Sequence, residues 1–231
     1  MIADDRLIVA LDLPTVAAAE EIVAQLGSEG SFYKIGYQLA PVGGFELARD
    51  LSGRGKRIFL DLKLHDIGAT VEKGVASVCR LGADFLTVHS EPDVLSGAVA
   101  GRGDDPRLKI LAVTVLTSLD QGALARSGIA MKLEDLVLKR AELAAEAGAD
   151  GVIASAREAA AIRKRFGERL KIVTPGVRPA GASADDQKRV ATPRAAIGVA
   201  DYLVVGRPIV AASDPVAAAR AIVSEMRAVK A

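Results

Sequence analysis

The stretch RIFLDLKLHDIGATV, residues 57–71, joins a run of strand-forming residues to a lysine flanked by two acids. Asp61, Lys63 and Asp66 fall within six positions. Residues two apart on a strand project to the same face, so we expect Asp61 and Lys63 to share the face that points into the molecule. Burying both charges is costly, and a buried ion pair stabilises a fold less well than apolar residues of equal volume. The pattern therefore favours chemistry over a purely structural ion pair.

Two carboxylates beside an ammonium group hold a lysine in its charged form. At an effective dielectric of about 20, each unit charge about 4 Å away favours the cation by about 4 kcal/mol. A lysine held in this way is not a Schiff-base nucleophile, which needs the free amine. It can stabilise a carbanion and then protonate it. The sequence thus predicts Lys63 as a proton donor, with Asp61 and Asp66 as its acidic neighbours.

Short β-branched runs recur along the chain and alternate with Ala-rich segments of helical periodicity. Alternating strands and helices predict parallel βαβ units, and eight such units in 231 residues are typical of a closed (β/α)₈ barrel. We therefore expect an α/β fold, a TIM barrel, that forms one catalytic domain over residues 1–231. An open doubly wound sheet is the alternative, but no GxGxxG follows an early strand. The predicted strands are 6–12, 32–36, 57–63, 84–89, 109–116, 150–155, 171–176 and 201–206.

The composition excludes several classes of protein. Thirty basic and twenty-nine acidic residues give a net charge of +1, which provides no electrostatic footprint for nucleic acid or an anionic membrane. A disulfide scaffold is excluded because Cys79 is the only cysteine, and it is expected to be a small core residue. The acidic start lacks the pattern of a signal peptide, and no apolar run approaches the length of a membrane span. We expect a cytoplasmic protein.

Polar residues end nearly every predicted strand, which is where a barrel carries its catalytic groups. For Asp12, a helix N-cap is an equally good interpretation on sequence alone. The two histidines, His65 and His89, have no clear acid/base partner in sequence, and we interpret them as structural. The other polar residues at strand ends are Lys34, Asp61, Lys63, Thr117, Ser118, Ser155, Arg178 and Arg207.

The stretch VVGRPI, residues 204–209, indicates a phosphate site. A glycine turn offers backbone N–H groups, and the guanidinium fork of Arg207 suits a phosphate dianion. The polar segment 178–190 contains Arg178 and Gln187, which could close over the same anion. That segment is either a solvated surface loop or a lid, and its position after the seventh strand favours a lid. The substrate should therefore carry a phosphate.

Six motifs spread over the whole chain resemble the orotidine 5′-phosphate decarboxylase family. They are ALD at 10–12, YKIG at 33–36, DLKLHDI at 61–67 followed by Thr70, TPGVR at 174–178, DDQKRVATP at 185–193 and VVGRPI at 204–209. The resemblance implies decarboxylation of orotidine 5′-monophosphate to UMP in de novo pyrimidine biosynthesis, by a homodimer that needs no metal or organic cofactor.

The resemblance also implies a role for each candidate residue. The residue matching Lys63 delivers the proton to C6 of the pyrimidine, and the match of Asp61 lies beside the substrate carboxylate. Asp66 and Thr70 are implied to reach the active site of the partner subunit. The implied substrate contacts are Asp12 and Lys34 to the ribose, Thr117 to the pyrimidine with Ser118 as an alternative, and Arg178, Gln187, Gly206 and Arg207 to the phosphate.

Two alternatives are consistent with the same fold. Magnesium-dependent sugar-phosphate decarboxylases and aldolases share a D-x-K-x-x-D motif, but they place a carboxylate metal ligand on strand two, where this chain has Lys34. A catalytically silent phosphate-binding barrel is the other alternative, since fold alone does not define function. The clustered charges at Asp61, Lys63 and Asp66 disfavour it, because binding alone gains nothing from them.

Overall fold

Eight parallel strands close into a barrel in chain order, with β8 pairing to β1. The structure is a computed structural model that describes residues 3–179 and 189–228. The prediction of a single-domain (β/α)₈ barrel is confirmed. The strands are β1 Leu7–Ala10, β2 Phe32–Ile35, β3 Arg57–Leu64, β4 Phe85–Val88, β5 Lys109–Val113, β6 Gly151–Ile153, β7 Lys171–Thr174 and β8 Tyr202–Val205.

Helices connect the strands around the outside of the barrel. Within residues 3–179 and 189–228, every helix is too short or too polar to traverse a lipid bilayer. The helices are α1 Val16–Leu26, α2 Gly44–Gly53, α3 Gly68–Cys79, α4 Pro92–Arg102, α5 Gln121–Arg126, α6 Leu133–Ala147, α7 Ala156–Phe166, α8 Pro193–Ile197, α9 Arg207–Val210 and α10 Pro215–Arg227.

Alternation along each strand divides the core into two layers. On β3, Ile58 and Leu60 belong to the layer between the barrel and the helices, whereas Phe59 points inward. Phe59, Phe85 and Phe32 pack edge to face inside the barrel. The aromatic residues, although few, therefore fill the interior and leave the space above them for polar groups.

Acidic residues at the start of three strands stabilise the end of the barrel opposite the predicted site. Asp84, Asp150 and Asp201 precede β4, β6 and β8, and their carboxylates accept the N–H groups of Ile58, Ile110 and Ile172 at 2.8, 2.9 and 2.7 Å. Each carboxylate also pairs with an arginine, namely Arg57, Arg102 and Arg163. These pairs join neighbouring strands at the amino-terminal rim, where barrel residues serve stability.

Candidate active site

A cavity of about 640 Å³ lies at the carboxyl ends of the strands. Phe59, Ile153 and Val204 form its apolar floor. Asp66 and Thr70 do not line it, and Gln187 lies outside the described residues together with most of the proposed lid. The predicted residues that do line it are Asp12, Lys34, Asp61, Lys63, Thr117, Arg178, Gly206 and Arg207, joined by Ser118.

Two lysines and two aspartates form a continuous charged array in this cavity. Lys63 Nζ lies 2.8 Å from Asp61 Oδ1. Lys34 Nζ lies 2.8 Å from Asp12 Oδ1 and 3.5 Å from Asp61 Oδ2. Among the described residues, the ammonium group between two carboxylates is thus that of Lys34, whereas Lys63 pairs with one carboxylate, that of Asp61. Because Thr15 caps α1, Asp12 is available to this array and is not the helix cap.

Asp61 is the shared counter-charge of both lysines. Burial alone would raise the pKa of Asp61, but the charges of Lys34 and Lys63 and hydrogen bonds from Lys63 and Thr87 outweigh burial and lower the pKa. The carboxyl group is therefore ionised throughout the neutral range and presents a fixed negative charge between two cations.

The backbone of Lys63 departs from regular strand geometry. Its φ is +44°, a left-handed conformation, and the pairing of β3 with β4 shifts register between Leu60 and Leu64. Such bulges re-aim a side chain, and a non-glycine residue in this conformation is held by its surroundings. The direction of Lys63 was predicted from the regular alternation of side chains along a strand. That prediction did not include this bulge.

Tyr37 is a cavity residue that the sequence analysis missed. Its hydroxyl donates to the carbonyl of Leu62 at 2.7 Å, and its ring centroid lies 5.6 Å from Lys63 Nζ. A cation at this distance from an aromatic face is attracted by the ring. The residue follows YKIG directly, so its place after β2 was the one available signal.

Asp66 and Thr70 are exposed and do not line the cavity of their own chain. The Asp66 carboxylate accepts the N–H of Ile67 at 2.7 Å, and no ion pair joins it to Lys63 within the described residues. Ile67, between them, is 71% exposed, which is unusual for an isoleucine. The two acids that the sequence places near Lys63 therefore do not meet around it in one subunit.

The exit of β7 brings Arg178 to the cavity. Gly176 has a φ of +73°, which favours glycine and turns the chain at the rim. Arg178 N then donates to the carbonyl of Ala191 at 2.9 Å, so the two ends of the segment that follows β7 lie side by side. Arg178 is buried. Arg207 follows β8 and lines the same cavity.

Arg189 connects the segment after β7 to the end of β5 and forms a buried ion pair that has no signal in the sequence. Its guanidinium lies 2.7 Å from Glu158 Oε1. It also donates to the carbonyls of Val115 and Leu116 at 2.9 and 2.8 Å. These two residues line the cavity beside Thr117, so Arg189 fixes the path of that wall.

His65, His89 and Glu91 form the one trio of potential metal ligands among the described residues, with donor atoms within 4.8 Å of one another. The imidazole rings stack at 4.4 Å with only 13° between their planes. An imidazole binds a metal in its ring plane, so rings stacked in this way direct their lone pairs alongside each other and not toward one ion. None of the three lines the cavity, and the trio as placed does not fit a metal centre.

The two rings instead cluster around the Glu91 carboxylate. Glu91 Oε2 lies 3.6 Å from His65 Nε2 and 3.8 Å from His89 Nδ1. Burial lowers the pKa of His89, and although Glu91 opposes this shift, nearby positive charges reinforce it. His89 is therefore neutral at pH 7, which agrees with a structural role.

The fold and this cavity define a (β/α)₈ barrel protein whose strand ends carry a lysine and aspartate array with two arginines in the same cavity. The chain belongs to the orotidine 5′-phosphate decarboxylase / HUMPS family, whose model matches residues 5–222.

Several relatives within this family are similar over nearly their whole length. Orotidine 5′-phosphate decarboxylase of Methylorubrum extorquens (strain PA1) is 59% identical over 96% of this chain and 95% of its own. The protein of that name from Rhodopseudomonas palustris (strain BisA53) is 57% identical over 97% of this chain and 95% of its own. The crystal structure of the Lactobacillus acidophilus orotidine 5′-phosphate decarboxylase superposes with a TM-score of 0.84 at 36% identity, over 96% of this chain and 99% of that one.

Proposed function

We propose that this protein decarboxylates orotidine 5′-monophosphate to UMP, without a metal or organic cofactor, and that Lys63 donates the proton to C6. The observation that carries this proposal is the Lys63 ammonium, held 2.8 Å from Asp61 in a cavity that also contains Arg178 and Arg207. The reaction requires a proton donor near C6, and binding of the nucleotide requires groups that hold its phosphate. We propose a single catalytic domain over residues 1–231.

In the proposed reaction, C6 of the pyrimidine exchanges its bond to the carboxylate for a bond to hydrogen. The bond from C6 to the carboxylate breaks, carbon dioxide leaves, and the electron pair remains on C6 as an sp² carbanion. The Lys63 ammonium then gives its proton to C6, and the resulting amine recovers a proton from water. Because the carbanion exists only late in the reaction, the attraction between it and Lys63 lowers the barrier more than it strengthens substrate binding.

Asp61 has two effects in this scheme. Its fixed charge orients the Lys63 ammonium. The family resemblance implies that the same charge also lies beside the substrate carboxylate and repels it. Loss of carbon dioxide removes the repulsion between the Asp61 carboxylate and the substrate carboxylate. We propose that Asp61 acts mainly by orienting Lys63, since hydrogen-bonded placement is the effect that the geometry supports directly.

The remaining cavity residues divide by their position around the rim. We propose that Asp12 and Lys34 contact the ribose, that Thr117 contacts the pyrimidine, and that Arg178, Gly206 and Arg207 bind the phosphate. For Gln187 the proposal rests on the family motif alone. Binding energy from the phosphate, remote from C6, can then be used to order the charged array.

We further propose a homodimer in which Asp66 and Thr70 complete the active site of the partner subunit. Both residues are exposed and absent from the cavity of their own chain, and the exposed side chain of Ile67 lies between them. A second carboxylate from the partner would place Lys63 between two acids. Within the part of one chain that the structure describes, Asp61 is the carboxylate paired with Lys63.

Metal independence separates this proposal from the magnesium-dependent activity. Lys34 Nζ already occupies the space between Asp12 and Asp61, so a divalent cation there would have to displace an ammonium group. We expect purified protein treated exhaustively with EDTA to consume orotidine 5′-monophosphate, measured by loss of its absorbance, at the untreated rate. Activity that disappears and returns with Mg²⁺ would support the magnesium-dependent alternative instead.

Arg207→Ala should raise the KM for orotidine 5′-monophosphate about 100-fold, because a charge-assisted contact to the phosphate is lost. Activity on the nucleoside orotidine, which has no phosphate, should not change. Steady-state kinetics on both substrates make the comparison. Equal losses on nucleotide and nucleoside would contradict a phosphate role for Arg207.

Gly36→Ala should raise the KM about tenfold by displacing the pair of Lys34 and Asp12, with little change in melting temperature. A Cβ at position 36 would lie 2.9 Å from Lys34 Nζ and 3.0 Å from Asp12 Oδ1, and the lysine end can move away. The matched control is Gly53→Ala, since a Cβ at position 53 has no neighbour within 4 Å. A wild-type KM in Gly36→Ala would show that the pair does not contact substrate.

A further inference from the structure

We propose that Thr87 is a positioning residue for the reaction, whose hydroxyl holds Lys63 through its backbone and through Asp61. This inference rests on the proposed role of Lys63 as proton donor. Thr87 lies on β4, is fully buried and does not line the cavity. It can therefore influence the substrate only through the residues that it contacts.

A closed ring of three hydrogen bonds connects these residues. Lys63 N donates to Thr87 Oγ1 at 3.0 Å, and Thr87 Oγ1 donates to Asp61 Oδ1 at 2.8 Å. Lys63 Nζ donates to the same Asp61 Oδ1 at 2.8 Å. The directions are fixed because an amide N–H can only donate and an ionised carboxylate can only accept. Lys63 is thus held at both ends, at its backbone by Thr87 and at its ammonium by Asp61.

The ring accounts for the unusual backbone at Lys63. In the bulge between Leu60 and Leu64, the N–H of Lys63 bonds to a side-chain hydroxyl of β4 where a regular ladder would use a carbonyl. A lysine with a φ of +44° persists only when its surroundings over-determine it. The Thr87 hydroxyl supplies that restraint and orients the carboxylate that aims the ammonium.

Threonine suits this position because it meets two requirements at once. Its branched side chain fits a buried strand, and its hydroxyl is both donor and acceptor. Valine has nearly the same shape and can do neither of the hydrogen-bonding tasks. Thr87→Val therefore removes the ring while it preserves the volume of the side chain.

Thr87→Val should lower kcat for orotidine 5′-monophosphate about 10- to 100-fold, as expected when hydrogen bonds to a charged group and to a strained backbone are lost. The affinity for UMP should stay within about threefold, because the cavity lining is unchanged. Thr87→Ser, which restores the hydroxyl, should recover most of kcat. Thr87→Ala should show the same loss as Thr87→Val, and it serves in place of the valine variant if that variant folds poorly.

Thr114→Val is the matched control. Thr114 is equally buried, lies just after β5, and donates its hydroxyl to the carbonyl of Ile153 at 2.7 Å. The Thr114→Val variant loses a buried hydrogen bond from a threonine hydroxyl, but this bond does not involve Lys63 or Asp61. Its melting temperature should therefore fall while its kcat stays at the wild-type value. If the role of Thr87 were only structural, kcat would follow melting temperature in both variants alike.

Three results would overturn the inference: a wild-type kcat in Thr87→Val, a serine variant as slow as the valine variant, or an equal loss of kcat in Thr114→Val. Wild-type protein without decarboxylase activity would overturn the proposed function itself, and this inference with it. The unmodified protein therefore tests the function, and the ratios between variants test the role of Thr87.

Discussion

Lys63→Ala is expected to lower kcat about 10⁴-fold or more, the largest effect of any single change in this protein. The substitution removes a general acid, which contributes about 10²- to 10⁴-fold, and with it the cation that we propose stabilises the carbanion electrostatically, which adds about 10²- to 10³-fold. Binding of UMP should remain measurable because the proposed phosphate and ribose contacts do not involve Lys63. Single-turnover kinetics and a UMP titration measure the two quantities separately.

Lys164→Ala is the control for this prediction, because it removes an exposed lysine on α7, far along the chain from the array. It should have wild-type kinetics. Substantial residual turnover in Lys63→Ala, within about tenfold of wild type, would remove Lys63 from the role of proton donor. Some other group would then have to protonate C6.

Asp61→Asn is expected to lower kcat about 10³-fold. The carboxylate pairs with Lys63 and Lys34 and accepts a hydrogen bond from the Thr87 hydroxyl. A carboxamide in its place has one acceptor oxygen and no charge. Removing one partner of a buried charge cluster leaves the others uncompensated, at a typical cost of about 3–5 kcal/mol. The Lys63 ammonium would lose the carboxylate that orients it, and the ammonium groups of Lys63 and Lys34 would repel each other.

The comparison variant is Asp12→Asn, which removes a carboxylate from the same array but leaves Asp61 in place. Asp12 is half exposed and, among the lysines that the structure describes, pairs with Lys34 and not with Lys63, so we expect a raised KM and a much smaller change in kcat. The ratio of the two kcat values tests whether Asp61 is the centre of the array. Similar kcat losses in both variants would mean that the total charge matters and the position of Asp61 does not.

The number and order of strands could be predicted because β-branched runs and Ala-rich periodic segments alternate throughout the chain. The strand ends could not be predicted so well. The run 109–116 was expected to be one strand, but β5 ends at Val113. Thr114 bonds to Ile153, and Val115 and Leu116 line the cavity beyond the end of β5, where apolar residues are buried as they are in a strand.

Much of the candidate site was also predictable, because residues at the carboxyl ends of parallel strands must meet at one rim. Three features were not. The positive φ of Lys63 has no local sequence signal, since lysine does not favour it. The sequence around Thr87 is that of an ordinary strand, and the role that we propose for it depends on a bulge in the neighbouring strand. Arg189 pairs with Glu158 across 31 positions, a contact that only the closed barrel creates.

The most direct test of the central claim is a crystal structure of the protein with UMP bound. We predict that Lys63 Nζ lies within about 3.5 Å of C6, the distance of a near-attack arrangement, with the phosphate on Arg178 and Arg207. A UMP whose C6 faces away from Lys63, or a Lys63 amine turned into solvent in that complex, would contradict the account.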